Sequence, residues 1–475
     1  MNSDDIRTLL ISNFPHETTS SQFDLLAKLS VFLTGEGQRS LFVIKGYAGT
    51  GKTTIVRSLV NVLPKIKYKS VLLAPTGRAA KVLANYSDRP AYTIHKKIYR
   101  MKSDSDGFVS LALIPNLHKE TIFIVDEASM IANAQLLGDL SLFSTRSILD
   151  DLIEYVFNES NCKLIFIGDT AQLPPVGTDI SPALDIKHLT SNYHLNITTV
   201  ELTEVVRQKK ESGILFNATK LRNFIFTKKN IIPKFKLDVF DDIIHLSGID
   251  LEDALNDSFS KYGKEGTAII CRSNKRANIY NQQIRSRIFY QENEIASGDI
   301  MMVVKNNYFW LQEDSKAGFI ANGDTIEVLK IIKMEELYGF RFAKAIVRMP
   351  DYPDEPDFET ILLLDTILAE TPALSSNDNK RFYQEVLQDY SDIPVKRMRM
   401  KKVKENPYFN ALQVKFSYAL TCHKSQGGQW PSVFVEQGYI TKEMINIEFM
   451  RWLYTALTRS TEKLYLVNFN KVFFE

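Results

Sequence analysis

Two hydrophobic rhythms alternate along the chain. "SLFVIKG" (40–46), "SVLLAPTG" (70–77), "TIFIVDEAS" (121–129) and "KLIFIGDT" (163–170) hold unbroken aliphatic and β-branched runs. Each run gives way to Gly, Pro or Asp within a residue or two. Such runs, with no polar alternation, belong to strands buried on both faces, as in a parallel sheet. Between them, "KTTIVRSLVNVL" and "RAAKVLANY" place apolar residues at helical spacing. Strand and helix in this order predict a doubly wound α/β domain. The rhythm returns later. "GTAIICRSNKRANIYNQQIR" (266–285) reads as a strand and then a helix; "ALQVKFSYALTC" (411–422) and "KLYLVNF" (463–469) read as strands. Residues 300 to about 410 differ. "GDTIEVLKIIKM", "FRFAKAIVRM" and "FETILLLDTIL" predict antiparallel β structure, a β-rich insertion within a second α/β domain.

The strand ends carry the chemistry. "GYAGTGKT" (46–53) fits G-x-x-x-x-G-K-[ST] between a strand and a helix. In that pattern the backbone from Gly46 through Ala48, Gly49, Thr50 and Gly51 turns its amides around phosphate oxygens, and the following helix adds its positive end through Thr53 and Thr54. Lys52 would reach the β- and γ-phosphates of ATP, and the Thr53 hydroxyl would ligate Mg2+. The next strand but one ends in Asp126 and Glu127. Asp126 is placed to hold Mg2+ and Glu127 to polarise the attacking water. In "FIGDTAQLPPVG", Asp169 and Gln172 follow a strand end, where open sheets bind ligands. Gln172 can orient water or touch the γ-phosphate without adding charge.

Bulk properties narrow the field without choosing a partner. The 475 residues are 44% hydrophobic and 24% charged, as in a soluble globular protein of roughly three domains. With 58 Lys and Arg against 56 Asp and Glu, the net charge is +2, so a nucleic acid would be held by a local basic groove. Three scattered cysteines and no CxxC predict neither a disulfide framework nor a zinc site. No apolar run reaches the ~18 residues of a membrane span. "MNSDDIRTLLISNF" has no basic start and apolar core, so a cytoplasmic location is expected. The basic run "KRMRMKKVK" (396–404) could follow phosphates, although charge runs are as a rule solvated faces.

One segment raises a separate question. "TCHKSQGGQWPSVFVE" (421–436) gathers His, Lys, Ser and Gln before two glycines, between runs that read as buried. A lone histidine with no second ligand at metal spacing makes no metal site, and no nearby acid positions it for nucleophilic catalysis. A strand-end ligand loop is what remains.

Taken together, the motifs resemble those of superfamily 1 helicases, of the RecD-like and Dda-like group that includes the Pif helicases. The resemblance spans nearly the whole chain. It implies two RecA-like domains with parallel sheets (residues 1–200, and 201–300 with 411–475). It also implies a small β-hairpin insertion near 100–118 and an SH3-like insertion at 301–410. Gln22 in "TTSSQFDLL" resembles the glutamine that reads adenine. "LLAPTGRAAKVL", with Pro75, Thr76, Gly77 and Arg78, and "TIHKKI", with His95, resemble DNA-contacting motifs. "KNNY", with Asn307 and Tyr308, resembles another. Arg207 in "LTEVVRQ" and Arg459 in "YTALTRS" resemble the arginines that reach the γ-phosphate. "YALTCHKSQGGQW" resembles a motif with Thr421, His423 and Lys424 toward the strand and Gln426 and Gly427 toward ATP. Phe108, beside an Asp106-Gly107 turn, stands where relatives split the duplex.

The resemblance implies an ATP-dependent DNA helicase moving 5′→3′ on single-stranded DNA in replication, recombination or repair. Its cofactors would be ATP and Mg2+, and its substrates single strands and single-strand/duplex junctions. A monomer is expected, with single-strand-binding or replication and repair proteins as candidate partners and no membrane. Two other readings are a translocase that strips proteins from DNA and a DNA-binding subunit of a repair complex. The full set of Lys52, Glu127, Gln172, Arg207 and Arg459 argues against the last.

Overall fold

The computed structural model describes Met1 to Glu475 apart from residues 36, 38, 104–108, 133–146, 160, 207–210, 228–231, 313–314 and 316, and the side chains of 101–103 and 109–111. Two parallel sheets and a closed barrel form its frame. The first sheet runs in the order Ala91–Thr93, Lys69–Ala74, Thr121–Val125, Lys163–Gly168, Ser40–Gly46 and Asn196–Leu202. All of its ladders are parallel. Strand Thr121–Val125 is buried at every position, which is why its sequence shows no alternation. Phe42 and Ile44 join one core layer while Leu41 and Val43 join another, so both faces are covered. The second sheet, again all parallel, runs Ala419–Thr421, Thr267–Cys271, Trp430–Glu436, Ser460–Val467 and Ile243–Leu246. The fold is thus α/β with two parallel-sheet P-loop-type domains. Tyr99–Ser103 and Val109–Leu113 pair as the small hairpin of the first.

Strands Ile300–Val303, Thr325–Leu337, Phe340–Arg348, Phe358–Leu363 and Leu412–Phe416 close the barrel. Here the structure corrects two expectations. The run 411–422 is not one strand. It is a barrel strand, Leu412–Phe416, and a sheet strand, Ala419–Thr421, in different sheets. Ser417 and Tyr418 turn the chain between them: the buried Tyr418 hydroxyl accepts from Ile300 N at 3.0 Å and lies 3.2 Å from Asp299 Oδ1. Nor is the insertion wholly β. Helices Ser376–Gln388 and Lys396–Glu405 lie within it, and the basic run forms the second. No helix among the described residues is long and apolar enough to cross a membrane.

Candidate active site

The phosphate loop follows strand Ser40–Gly46 and opens helix Lys52–Val62. Gly49 and Gly51 stand at φ 76° and 88°, a left-handed region that strains any residue with a Cβ. At Gly46 an added Cβ would meet Lys52 Cγ at 2.8 Å. Glycine therefore lets the lysine fold back over the loop. Lys52 Nζ donates to Gly46 O at 2.7 Å and Tyr47 O at 3.1 Å. These carbonyls hold the ammonium where a phosphate would offer stronger, charge-assisted partners. Thr53 is exposed at the start of the helix, with Thr54 beside it.

Gln22 lies underneath. Its side chain is 2% exposed and both amide ends are engaged: Nε2 donates to Thr50 O at 3.0 Å and Oε1 accepts from Thr19 N at 3.0 Å. The amide braces the loop and caps its own helix. The glutamine expected to read adenine thus sits directly against the phosphate loop, bonded to Thr50.

Asp126 and Glu127 leave the strand end together. Glu127 sits at φ 51°, and its N–H donates to Asp126 Oδ1 at 2.8 Å. The Tyr86 hydroxyl donates to Asp126 Oδ2 at 2.5 Å. Burial, then the charge of Glu127, raises the Asp126 carboxyl above the usual range. Two acids crowded at one partly buried strand end suit a cation. Gln172 is 4% exposed, and its Oε1 has no hydrogen-bond partner among the described residues. A buried acceptor left open in this way fits a site completed by a ligand or water.

The second domain closes over these groups. The Tyr454 hydroxyl donates to Asp169 Oδ2 at 2.7 Å and accepts from the phosphate-loop amide of Ala48 at 2.9 Å. Thr455 Oγ1 accepts from Leu173 N at 2.9 Å, and Gln426 Nε2 donates to Leu173 O at 2.7 Å. Arg459 is 3% exposed, held by Thr455 O and Gly428 O, with Nη1 3.9 Å from Glu127 Oε1. Lys52, Glu127, Gln172, Arg459 and Gln426 thus gather around one cleft. Arg207 and Phe108 lie outside the described residues.

The expected DNA-facing residues fall into three groups. Thr76 caps helix Gly77–Ser87 by accepting from Ala79 N at 3.2 Å, beside a half-buried Pro75. Arg78 stacks on Trp430 at 4.7 Å and donates to Thr325 of the barrel at 3.2 Å. A Cβ on Gly427 would meet Ala79 Cβ at 2.6 Å, and one on Gly77 would meet Asp324 Oδ1 at 2.1 Å. These glycines let three units of the fold touch. His95 is largely buried, and burial lowers its pKa to about 4. Thr421 and Lys424 line a small cavity with Lys415, Asn274 and Asn278. His423 is exposed. Burial, then the Lys415 charge, lowers Lys424 to about 8, and its Nζ has no hydrogen-bond partner among the described residues. Asn307 does not join them. It is buried in a barrel loop, donating to Asn410 O at 2.8 Å and accepting from Phe309 N at 3.0 Å. Tyr308 next to it packs on Phe319 at 4.8 Å.

Sequence reasoning missed Tyr454, Thr455 and Tyr86. Tyr454 and Thr455 lie inside the quoted "YTALTRS", whose arginine drew attention first. Tyr86 had no signal, because its carboxylate partner is 40 positions away. It also missed Lys96, its side chain buried between domains, with Nζ 3.2 Å from Asp324 Oδ2 and 2.7 Å from the Tyr352 hydroxyl.

Residues 31–223 match the AAA domain family and residues 416–467 the UvrD-like helicase C-terminal domain. A protein of Acanthamoeba polyphaga mimivirus is 23% identical over 92% of this chain and 97% of its own. The ATP-dependent DNA helicase dda of Enterobacteria phage T4 is 27% identical over 64% of each chain. A crystal structure of Pif1 helicase from Bacteroides with ADP-AlF3 and ssDNA aligns over 94% of this chain and 93% of that one, at 16% identity and a TM-score of 0.45.

Proposed function

This chain belongs to the Pif1/RecD-like group of superfamily 1 helicases, and from that premise we propose that it is an ATP-dependent DNA helicase. It would move 5′→3′ on single-stranded DNA and open duplexes in replication, recombination or repair. The observation that carries this reading is the shared cleft: Arg459 and Tyr454 of the second domain reach Glu127 and the phosphate loop of the first.

In the proposed cycle Lys52 leaves its loop carbonyls to hold the β- and γ-phosphates of ATP. Thr53 and Asp126 would hold Mg2+, which neutralises charge on the phosphates. Glu127 orients and deprotonates the attacking water, and Gln172 offers its open Oε1 to it. Arg459 stabilises charge on the transferring phosphoryl group, a role the resemblance also gives to Arg207; such arginines contribute ~10³–10⁵ in rate. Loss of the γ-phosphate removes their target and the cleft opens. Thr76, Arg78 and His95 on one side and Thr421, His423 and Lys424 on the other grip the strand, so each opening becomes a step.

Two measurements test this. Lys52→Ala abolishes DNA-stimulated ATP hydrolysis; persistence of hydrolysis removes the phosphate-loop assignment. Partial duplexes with a 5′ or a 3′ single-stranded tail give unwinding of the 5′-tailed substrate. Unwinding of the 3′-tailed substrate alone refutes the polarity, and unwinding of neither points to a translocase that displaces bound proteins.

A further inference from the structure

Helix Lys396–Glu405, "KRMRMKKVKE", has six basic residues and one acid in ten, and only Val403 is buried. Without it the net charge of +2 would become −3. Glu405 pairs with Lys402 at 2.9 Å and lies 3.9 Å from Lys401, but the start of the helix is charged against its own dipole. The first turn has no acid, Val395 before it makes no side-chain cap, and Lys396 and Arg397 open the helix. Cations there oppose the positive end of the helix dipole. Arg397 and Lys401 add like-charge repulsion at i,i+4 spacing. The neighbouring helix, Ser376–Gln388, follows the opposite rule: Ser375 Oγ accepts from Asp378 N at 3.1 Å, and Asp378 lies in the first turn.

The helix is anchored close to the Asn307 loop. Asn410 donates to Lys404 O at 2.7 Å, and Asn410 O accepts from Asn307 Nδ2 at 2.8 Å and Trp310 Nε1 at 2.7 Å. We propose that this helix is a docking surface for the phosphate backbone of duplex DNA. The proposal rests on the helicase reading above and extends it from the single strand to the duplex. Three features favour a duplex. The helix has no aromatic residue on which unpaired bases would stack. Its exposed apolar residues, Met398 with Val395 before it, are too few for a lipid surface. Its charge alone suits a backbone that presents regularly spaced phosphates.

The test uses the full chain and fluorescence anisotropy across a salt series, with a blunt duplex and an unpaired oligothymidine as probes. Each phosphate contact contributes about 0.9 to the slope of log affinity against log salt. In K396A/R397A/K402A the duplex slope falls by about 2–3, while the slope on the single strand and strand-stimulated ATP hydrolysis stay as in the wild type. K396A/R397A, which leaves the Lys402–Glu405 pair at 2.9 Å intact, shows about two-thirds of that change and guards against a folding artefact. An unchanged duplex slope overturns the proposal and leaves a solvated face or an acidic protein partner. An equal loss on the single strand also overturns it. Wild-type protein without strand-stimulated hydrolysis would instead refute the helicase reading.

Discussion

The hydroxyl of Tyr454 touches an amide of the phosphate loop and a carboxylate of the Gln172 loop from a helix in the other domain. A hydrogen bond to a charged group is worth about 1.5–3 kcal/mol. Tyr454→Phe therefore lowers kcat for DNA-stimulated hydrolysis by roughly tenfold to a hundredfold, with the KM for ATP little changed. A lower melting temperature with kcat intact would leave the tyrosine only a packing role. At Lys424, burial and Lys415 hold the ammonium at about 8, below the usual value of 10.5. Its unfolded state binds more protons between those values, so the fold gains stability as pH rises from about 8. The grip on phosphate runs the other way, because the charge is lost over the same range. Single-strand affinity of the wild type falls between pH 7 and 9, and Lys424→Arg, which stays charged, loses that dependence. Equal pH dependence in both proteins would remove Lys424 from the strand contact. The sequence made Lys52, Asp126 and Glu127 legible because each follows an apolar run at fixed spacing. Tyr454's role was hidden because its partners, Ala48 and Asp169, are hundreds of positions away.

Among elements, the barrel's attachment to the first domain is a set of charges taken out of water. Lys96 and Asp324 are 7% and 0% exposed as side chains, and Tyr352 lies over the ammonium at 4.1 Å. Burial lowers the lysine and raises the aspartate even though they face each other. Desolvation outweighs attraction here, as it does in many buried pairs. Asp324→Ala leaves an uncompensated buried cation and costs about 3–5 kcal/mol in urea unfolding. The double variant Lys96→Met with Asp324→Leu recovers most of it. Failure of the double variant to recover would mean that the pair sets the barrel's position by geometry rather than by charge balance. The strands of the barrel were legible from their looser alternation. The break at Ser417–Tyr418 was not, since the apolar pattern runs unbroken through a residue that redirects the chain by bonds to Ile300 and Asp299.

For the whole molecule, the two α/β domains meet through close glycine contacts. Gly427 stands at φ 72°, and its absent Cβ would lie 2.6 Å from Ala79. Gly428 is equally confined by Trp430 and Arg78. Gly427→Ala adds backbone strain of order 1–3 kcal/mol and a clash at the interface. DNA-stimulated hydrolysis falls steeply while a fluorescent ADP analogue still binds the phosphate loop. Parallel loss of both would show that the substitution disturbs the first domain itself. This interface gives the "TCHKSQGGQW" loop its two neighbours, with Lys424 in the cavity beside Lys415 and Gln426 on Leu173.

The sequence by itself determined the parallel sheets, the phosphate loop and its carboxylates, because unbroken apolar runs and fixed local spacings follow from backbone geometry that a few residues set. Only the tertiary structure decided which groups meet across the cleft. It turned Gln22 inward to brace the loop, buried Asn307 in the barrel, split residues 411–422 between two sheets, and made a helix of the basic run. Each of these depends on burial and on hydrogen-bond partners far away in sequence, and local pattern holds no record of them.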